Sequence, residues 1–281
     1  MLDLEMDRKA ADAKDAATLI LVGDGASGLE VFCVERSKES RFMGGAIVFP
    51  GGKLDARDAG AEWDALVTSP RPAPFATDDA HLRALAIAAC RESLEEAAIL
   101  PITGACTQDD LFALRTKLKD DPSALQSFLR ERSLRLDLAA LHAFARWVTP
   151  TAESRRFDAR FFVAVAPEGQ PGAHDDFETK ASFWAPPAEI LRRFDAGEVQ
   201  LMPPTHRTLS LLAEHADAAG VLAYAARTCL DPVQPRLVPQ GDTMALALPG
   251  DPEHEVRESR VPGGSRYVLR DGRWRSEGPP G

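Results

Sequence analysis

The sequence predicts an α/β (α+β) fold in which helices cover a mixed β-sheet. Short apolar runs bounded by turn residues predict strands, and apolar residues at helical spacing predict helices between them. These elements interleave without the regular strand–helix–strand rhythm of an all-parallel sheet, which favours strands of mixed direction. No internal repeat or clear domain boundary is present, and 44% of the 281 residues are hydrophobic. We therefore expect one domain with a sizeable core.

Strands are predicted wherever an apolar run meets turn residues. The first two runs flank the turn GDGASG, and a third run ends at Pro50-Gly51-Gly52, a sequence typical of a loop. The predicted strands are residues 17–22, 29–36, 46–49, 141–148, 159–166 and 179–184, followed by short strand-like pieces at 245–248 and 266–269.

The strongest helix signal covers residues 81–100, where apolar residues recur at helical spacing before Pro101. Asp121 before Pro122 has the chemistry of an N-cap followed by proline at the first helical position. The other predicted helices are residues 108–119, 122–131, 187–194 and 205–216. Residues 1–16, which mix acids and bases, are expected to form a flexible leader, and residues 59 to about 80 a loop or short helix.

The bulk composition excludes several classes of function. A formal net charge of −10 leaves no excess of Lys and Arg with which a general nucleic-acid binder would offset phosphates. No run approaches the roughly 20 apolar residues that span a bilayer, so we expect no membrane partner. The cysteines form no C-x-x-C pair, which predicts reduced thiols and a cytoplasmic protein. They are Cys33, Cys90, Cys106 and Cys229.

An acidic helix face is the first candidate for chemistry. If the segment from Arg91 is helical, Glu92, Glu95 and Glu96 sit at i, i+3 and i+4 on one face. Like charges at this spacing cost roughly 0.2–0.5 kcal/mol per pair. A hard divalent cation such as Mg²⁺, which prefers oxygen ligands, would account for such a face. A solvated acidic surface is the alternative, and Arg91 and Glu95 could simply form an i,i+4 ion pair.

The acidic helix and the upstream glycine pair together resemble the box of the Nudix hydrolase superfamily, G-x5-E-x7-R-E-U-x-E-E-x-G-U, where U is aliphatic. The matching residues are Gly52, Asp58 in place of the first Glu, Arg91, Glu92, Glu95, Glu96 and Ile99. Three features depart from the pattern. Ser93 replaces an aliphatic residue, Ala98 replaces the last glycine, and residues 59–90 stand where the pattern has seven residues.

The interruption of the box resembles one branch of that superfamily, which contains the mammalian peroxisomal CoA diphosphatase. Three segments carry this resemblance, namely FPGGKLDARD at 49–58, TP…RFDARFF at 149–162 and ALPGDPEH at 247–254. It implies a Nudix-type α/β/α sandwich as a single domain over residues 17–281. An insertion within the box at 59–83 and a C-terminal extension at 219–281 are part of that expectation.

The family pattern implies roles for the residues that match it. Glu92, Glu95 and Glu96 are implied as ligands of Mg²⁺ or Mn²⁺, and Glu95, Glu96 and Arg91 as catalytic residues, with Arg91 orienting the carboxylates. Asp58, one methylene shorter than the family's Glu, either adds a metal ligand, directly or through water, or holds Arg91.

The resemblance also implies a binding surface for phosphates. Gly51 and Gly52 would let the backbone turn sharply and approach a phosphate, although a loop glycine pair is the alternative. Arg36 and Arg41 match the R-S-x3-R part of a CoA-hydrolase signature and could bind a phosphate of CoA as bidentate donors. Arg156 belongs to a second basic cluster. Each arginine could instead be a solvated strand-end residue.

The general base is nominated by position alone. In several Nudix enzymes it is a glutamate on a loop shortly before a strand that contains Trp, and Glu178 precedes Trp184 in this way. His174, Asp175 and Asp176 on the same loop are alternatives. A polar turn without catalytic function remains equally open.

The resemblance implies a metal-dependent hydrolase of a small-molecule nucleoside diphosphate derivative. CoA or acyl-CoA, giving 3′,5′-ADP and (acyl-)4′-phosphopantetheine, is the first expectation. A pyrophosphatase acting on ADP-ribose or a dinucleotide is an alternative. A ligand-binding module that has lost turnover is another, and Asp58, Ser93 and Ala98 favour it. The insertion at 59–83 could cap the pocket, contact the second subunit of a homodimer, or be inert.

Overall fold

The architecture is a mixed sheet with helices on both faces, followed by an antiparallel sheet near the C-terminus. A computed structural model describes residues 4–5, 9–36, 45–75, 78–174 and 179–279. Its strands are β1 (Lys14–Gly25), β2 (Gly28–Arg36), β3 (Ile47–Val48), β4 (Gly51–Lys53), β5 (Ile102–Thr103), β6 (Arg135–Leu136), β7 (His142–Val148), β8 (Phe157–Val165), β9 (Thr179–Ala185), β10 (Arg236–Gln240), β11 (Thr243–Ala247), β12 (Arg266–Arg270) and β13 (Arg273–Glu277). Its helices are α1 (Asp79–Ala97), α2 (Gln108–Leu118), α3 (Ala124–Glu131), α4 (Pro187–Asp195), α5 (Pro203–Leu212) and α6 (Ala218–Ala225).

Strand β1 is the centre of the main sheet and changes partner along its length. Over the described residues this sheet runs β3-β2-β1-β8-β7, with β9 beside β2 and β4 beside β1. β1 is parallel to β8 and antiparallel to β2 and β4. β2 pairs with residues 22–25 of β1, whereas β4 pairs with residues 16–18. The glycine pair, expected in a loop, therefore lies in a short strand because its backbone is hydrogen-bonded to β1.

Helix α1 covers one face of the sheet. It begins at a capped turn, in which the Asp78 side chain accepts a hydrogen bond of 2.7 Å from the His81 N–H. It ends at Ala98, which has a φ of 51° at the position where the family pattern has glycine. Ser93 is fully buried, and its hydroxyl donates to the Ile99 carbonyl at 2.8 Å. This hydrogen bond satisfies a polar group at a position where the family has an aliphatic side chain.

Two apolar cores enclose the main sheet. Leu19 and Leu21 of β1 pack with α1 on one face, and Ile20 packs with α4, α5 and α6 on the other. This alternation follows from the two-residue period of a strand. The C-terminal sheet β10–β13 joins the second core through Tyr267 and Trp274. The expected α/β/α layering around a mixed sheet is confirmed.

Several expected boundaries differ from the structure. β1 begins at Lys14, so residues 14–16 belong to a strand instead of the leader expected over 1–16. They are extended because each pairs with a residue of β8. α1 begins at Asp79, which makes the end of the 59–83 segment helical. The segment also contains a 3-10 helix at Ala61–Trp63, and Trp63 is buried in the first core.

Other differences arise at helix starts and in the C-terminal part. Ser123 precedes α3, and Asp121 instead accepts hydrogen bonds of 2.9 and 2.7 Å from the N–H and hydroxyl of Ser123. α5 begins earlier than predicted because Pro203 and Pro204 occupy its first turn, where a missing N–H costs nothing. α6 and β13 were not predicted. β13 (RWRSE) is too polar to be recognised from apolar alternation.

No helix within the described residues has both the length and the apolar composition that spanning a bilayer requires. The four cysteines all carry free thiols, as predicted. Cys33 and Cys90 are buried, Cys106 is half-buried and Cys229 is exposed. Burial raises the pKa of the Cys33 and Cys90 thiols well above its ordinary value.

Candidate active site

A buried arginine–aspartate pair links a 3-10 helix after β4, Ala56–Ala59, to α1. Arg91 Nε donates to Asp58 Oδ1 at 2.9 Å, and Arg91 Nη2 donates to Asp58 Oδ2 at 3.0 Å and to the Lys53 carbonyl at 3.0 Å. Asp58 Oδ2 also accepts from the Asp55 N–H, and Asp58 is 0% exposed. The structure therefore contradicts Asp58 as a direct metal ligand, because both of its oxygens are engaged and closed off from any cavity. It supports the alternative, in which Asp58 holds Arg91.

The remaining nitrogen of Arg91, Nη1, contacts two of the glutamates. Arg91 Nη1 donates to Glu92 Oε1 at 2.7 Å and to Glu95 Oε1 at 3.4 Å. Arg57 Nη2 lies 3.8 Å from the same Glu95 oxygen, a contact that sequence reasoning missed. Burial by itself would lower the pKa of Arg91. The hydrogen bond to Asp58 and the charges of the surrounding carboxylates outweigh burial and raise it. Arg91 is thus a fixed cation that orients the carboxylates.

Glu96 reaches from α1 to the backbone of β4. Its Oε2 accepts a hydrogen bond of 3.0 Å from the Gly51 N–H, and Arg36 Nη1 lies 4.0 Å from its Oε1. Glu96 is 8% exposed. Its carboxylate is therefore positioned between the glycine strand and an arginine that sequence analysis had assigned to phosphate binding.

The glycine pair is explained by close approach and not by a sharp turn. A Cβ atom at Gly52 would overlap the carboxyl group of Glu92. A Cβ atom at Gly51 would lie 2.7 Å from the Ala17 carbonyl oxygen of β1, which is closer than real Cβ atoms come. The expected turn at Gly51–Gly52 is wrong, because both residues are extended in β4. The absence of a side chain lets Gly51 lie close to β1 and lets the Glu92 carboxyl group pack against Gly52.

A cavity of about 1050 Å³ opens beside these groups. Its wall includes six of the residues predicted from the sequence to bind metal or phosphate. The six are Arg36, Gly51, Gly52, Glu92, Glu96 and Arg156. Glu95 is held by Arg91 and Arg57, and it is not part of this wall. Two of the three predicted glutamates therefore face the same space as the glycine strand.

The carboxylates are ligands suited to a divalent cation, but the described side chains do not form a complete binding site. Burial, followed by the charge of Glu95, raises the pKa of Glu92 although Arg91 opposes the shift. Among the described residues, no group of three or more His, Cys, Asp or Glu side chains is arranged to hold a metal ion. The expected cluster of Glu92, Glu95 and Glu96 is thus not assembled, because two arginines hold Glu95. Glu92 and Glu96 still present hard oxygen donors at the cavity wall, which fits a divalent cation.

The other predicted arginines have different surroundings. Arg156 lines the cavity, but its Nε donates to the Thr149 carbonyl at 3.1 Å and its Nη1 to the Ala11 carbonyl at 2.5 Å. These contacts fasten the loop before β8 to the start of the chain. The neighbouring Arg155 is exposed and also lines the cavity. Arg41 lies outside the described residues.

The candidate general base Glu178 also lies outside the described residues, as do Asp175 and Asp176. His174 is described. Its N–H donates to Ser182 Oγ at 3.0 Å, and its ring Nδ1 lies 3.4 Å from the same oxygen. His174 is not part of the cavity wall.

Sequence reasoning missed part of the cavity wall, which distant segments of the chain supply. Trp147 of β7, Met202 before α5, and Pro235 and Leu246 of the C-terminal part line it. No local motif marks these residues, because long-range packing alone brings them together. Trp147 lay in a correctly predicted strand, but its exposure to a cavity could not be read from the alternation of that strand.

Comparison with known proteins gives a consistent result. A family model described as the NUDT19 Nudix domain matches residues 13–212. The acyl-coenzyme A diphosphatase NUDT19 of Homo sapiens is 29% identical over 271 residues, a match that covers 80% of this chain and 72% of the human protein. The protein of the same name from Gallus gallus is 27% identical, with 81% of this chain and 73% of that protein covered.

A solved structure is similar over most of the chain. The NUDIX hydrolase from Alicyclobacillus acidocaldarius matches with a TM-score of 0.66 and 31% identity, covering 77% of this chain and 96% of that one. The strands β10–β13 lie beyond the residues that the family model matches.

Proposed function

Since the chain belongs to the Nudix hydrolases, in the family described as the NUDT19 Nudix domain, we propose that it hydrolyses the diphosphate linkage of CoA or an acyl-CoA. The products would be 3′,5′-ADP and (acyl-)4′-phosphopantetheine. One observation carries the proposal: Glu92 and Glu96 share the wall of a roomy cavity with Arg36 and the glycine strand. The names of the human and chicken relatives support the choice of substrate.

The cofactor that we propose is Mg²⁺ or Mn²⁺, held by Glu92 and Glu96. Nudix hydrolases in general use divalent metal ions. Such an ion neutralises the charge of a diphosphate and lowers the pKa of a bound water molecule. Glu95 pairs with Arg57 and Arg91. We propose that it supports the same acidic helix face by its contact with Arg91.

The residues of the chain supply positioning and charge. The Asp58–Arg91 pair fixes the orientation of Glu92 on α1, and the Gly51 N–H fixes the carboxylate of Glu96. Arg36 offers a cation to a phosphate oxygen on the same wall, where a bidentate contact would be strongest. Arg36 would balance part of the negative charge of a diphosphate bound there.

The base that takes a proton from the attacking water is proposed to be Glu178, on the family resemblance alone. His174 is a weaker choice, because its ring lies against Ser182 and not at the cavity wall. The single-domain organisation over 17–281, the homodimer and the cytoplasmic location stay predictions. Light scattering of the purified protein tests the homodimer.

The decisive experiment replaces Glu96 by Gln, which keeps the shape of the side chain and an acceptor for the Gly51 N–H. We expect hydrolysis of CoA with Mg²⁺ to fall by at least about 100-fold, because a carboxylate beside the reacting phosphate is lost. Product identity is followed by mass spectrometry. Glu131→Gln, an exposed substitution at the end of α3, is the matched control and should keep the wild-type rate.

Wild-type turnover by folded Glu96→Gln protein would refute the metal assignment. Release of AMP from ADP-ribose or a dinucleotide, with CoA left intact, would replace the proposed substrate. Tight binding of these compounds without any hydrolysis would instead favour a ligand-binding module.

A further inference from the structure

The insertion within the box is anchored to β6 and not to the cavity wall. The Leu136 N–H of β6 donates to the Leu66 carbonyl at 2.8 Å, and the Thr68 N–H donates to the Leu136 carbonyl at 2.9 Å. Among the described residues, no part of the insertion at 59–83 lines the cavity. Over these residues the insertion is therefore held in place without covering the cavity.

Apolar packing fixes the insertion against the rest of the protein. Trp63, Leu66 and Phe75 are buried in the first core, together with residues of α1. The ring of Phe75 packs edge-on against Phe162 of β8, with the ring centroids 5.4 Å apart. Side chains in a close-packed interior have little freedom to move. The insertion can therefore hold a neighbouring segment in position.

One hydrogen bond connects the insertion to the 3-10 helix Ala56–Ala59, which carries Asp58. The Trp63 indole N–H donates to the Arg57 carbonyl at 2.8 Å. Because Trp63 is only 2% exposed, its indole N–H needs an acceptor within the protein, and the Arg57 carbonyl is that acceptor. The bond holds the peptide unit between Arg57 and Asp58, immediately before the aspartate that binds Arg91.

The same peptide unit begins a series of contacts that reaches the cavity. Its N–H, which belongs to Asp58, donates to the Asp55 carbonyl at 3.0 Å. The Asp58 carboxylate accepts hydrogen bonds of 2.9 and 3.0 Å from Arg91. Arg91 Nη1 in turn donates to Glu92 Oε1 at 2.7 Å, and Glu92 lines the cavity. A continuous series of contacts therefore joins Trp63 to a carboxylate at the cavity wall.

The position of Asp58 beside Arg91 needs support from outside the 3-10 helix. Residues 59–90 separate the two in the chain, and a connection of this length restrains its ends only weakly. The segment after β4 holds the 3-10 helix at its start, where the Leu54 N–H donates to a β1 carbonyl at 2.9 Å. Trp63 holds the other end by its hydrogen bond.

We propose that the insertion supports the active site, with Trp63 as the positioning residue that holds Asp58 and, through it, Arg91 and Glu92. The catalytic consequence of this inference rests on the proposed function. The competing interpretation is that Trp63 contributes packing alone and that the Arg57 carbonyl merely satisfies its indole N–H. The two interpretations differ in whether loss of the indole N–H affects Glu92.

Trp63→Phe removes the donor and keeps an aromatic ring in the core. We expect kcat/KM for CoA to fall at least about fivefold per folded molecule, because a small misplacement of reacting groups slows turnover. Phe75→Leu is the matched control, since it shortens another buried aromatic side chain of the insertion that lies against β8. It should keep kcat/KM within about twofold of wild type. Equal losses in the two variants would overturn the inference.

A double-variant cycle tests the route through Asp58. Trp63→Phe combined with Asp58→Asn should leave kcat/KM within about twofold of Asp58→Asn alone, because both changes release the same arginine. A further loss of about fivefold would mean that the two residues act independently, which contradicts the proposed route. If Trp63→Phe does not fold, replacement of Trp63 by 3-benzothienylalanine keeps the fused ring, removes the N–H and should give the same result.

Hydrogen exchange, measured without metal or substrate, tests the positioning separately from turnover. The peptide that spans residues 54–62 should exchange at least about fivefold faster in Trp63→Phe than in wild type, and within about twofold of wild type in Phe75→Leu. Unchanged exchange in Trp63→Phe would overturn the inference. Faster exchange in Trp63→Phe, together with a wild-type protein that does not hydrolyse CoA, would contradict the proposed function and leave the role of Trp63 supported.

Discussion

Two buried arginine–aspartate pairs, one beside the cavity and one in the C-terminal sheet, have nearly the same geometry. Arg91 meets Asp58 at 2.9 and 3.0 Å, and Arg266 meets Asp251 at 2.9 and 2.5 Å. The arginines are 4% and 0% exposed, and both aspartates are 0% exposed. Each pair is bidentate, which is the strong form of this interaction.

The pairs differ in what the arginine does with its remaining donors. Arg91 uses Nη1 to hold Glu92 at the cavity wall. Arg266 uses Nη1 to hold the Gln240 side chain at 2.5 Å, and Nη2 also lies 2.9 Å from a carboxylate oxygen of Glu253. The first pair therefore orients a reactive group, whereas the second joins strands and a loop. Similar burial and geometry therefore do not by themselves identify a functional pair. The two pairs are distinguished by the other groups that each arginine contacts.

The largest effect is expected from Asp58→Asn. Arg91 would keep its burial but lose the most buried of the carboxylates that balance its charge, which should lower the free energy of unfolding by about 3 kcal/mol. Because Arg91 then no longer holds Glu92 in place, kcat/KM for CoA should also fall at least about tenfold per folded molecule. Urea unfolding and a CoA hydrolysis assay measure the two effects. Wild-type kcat/KM in the folded fraction would mean that the pair is purely structural.

Asp251→Asn is the counterpart in the C-terminal sheet and should change stability alone. It removes the more buried of the two carboxylates that pair with Arg266, so the free energy of unfolding should again fall by about 3 kcal/mol. kcat/KM for CoA should remain within about twofold of wild type, because no contact of Arg266 reaches Glu92 or Glu96. A loss of activity as large as that of Asp58→Asn would break the distinction between the two pairs.

A smaller effect is expected on the pH dependence of stability. It distinguishes the C-terminal sheet from the cavity without altering either arginine–aspartate pair. Burial and the charge of Arg207 lower the pKa of His206, beside Tyr267 of the C-terminal sheet, to about 4. The unfolded chain binds this proton near its ordinary pKa of about 6.5, so stability is present above that pH and is lost as the pH falls toward 4. Between pH 7 and pH 5 the loss should be about 2 kcal/mol.

The control for this prediction is His206→Gln, which cannot titrate. When the pH drops from 7 to 5, the unfolding free energy of wild type should fall by about 2 kcal/mol relative to that of this variant. Asp251 does not interfere, because hydrogen bonds from Arg266 and Ser265 outweigh burial and lower its pKa, which places its titration below about pH 4. A difference that does not change with pH would remove His206 as the acid-sensitive group.

The sequence alone determined the parts of the site that depend on local spacing. Glu92 and Glu96 are one helical turn apart, so the identification of α1 was sufficient to place both on one side of it. Arg91 was predicted to orient carboxylates, and in the structure it donates hydrogen bonds to Glu92 and Glu95. The family pattern also indicated that Asp58 belongs to the same arrangement, although its partner was left open.

Only the tertiary structure decided which of these groups share the cavity. Arg57 draws Glu95 aside, Asp58 is closed off by Arg91, and pairing with β1 makes the glycine pair a strand. The apolar part of the cavity wall combines residues of β7, α5 and the C-terminal part, which are distant in the chain. Local periodicity records the face that each element buries. It carries no information on which distant element covers that face, because packing and strand register are set by the whole fold.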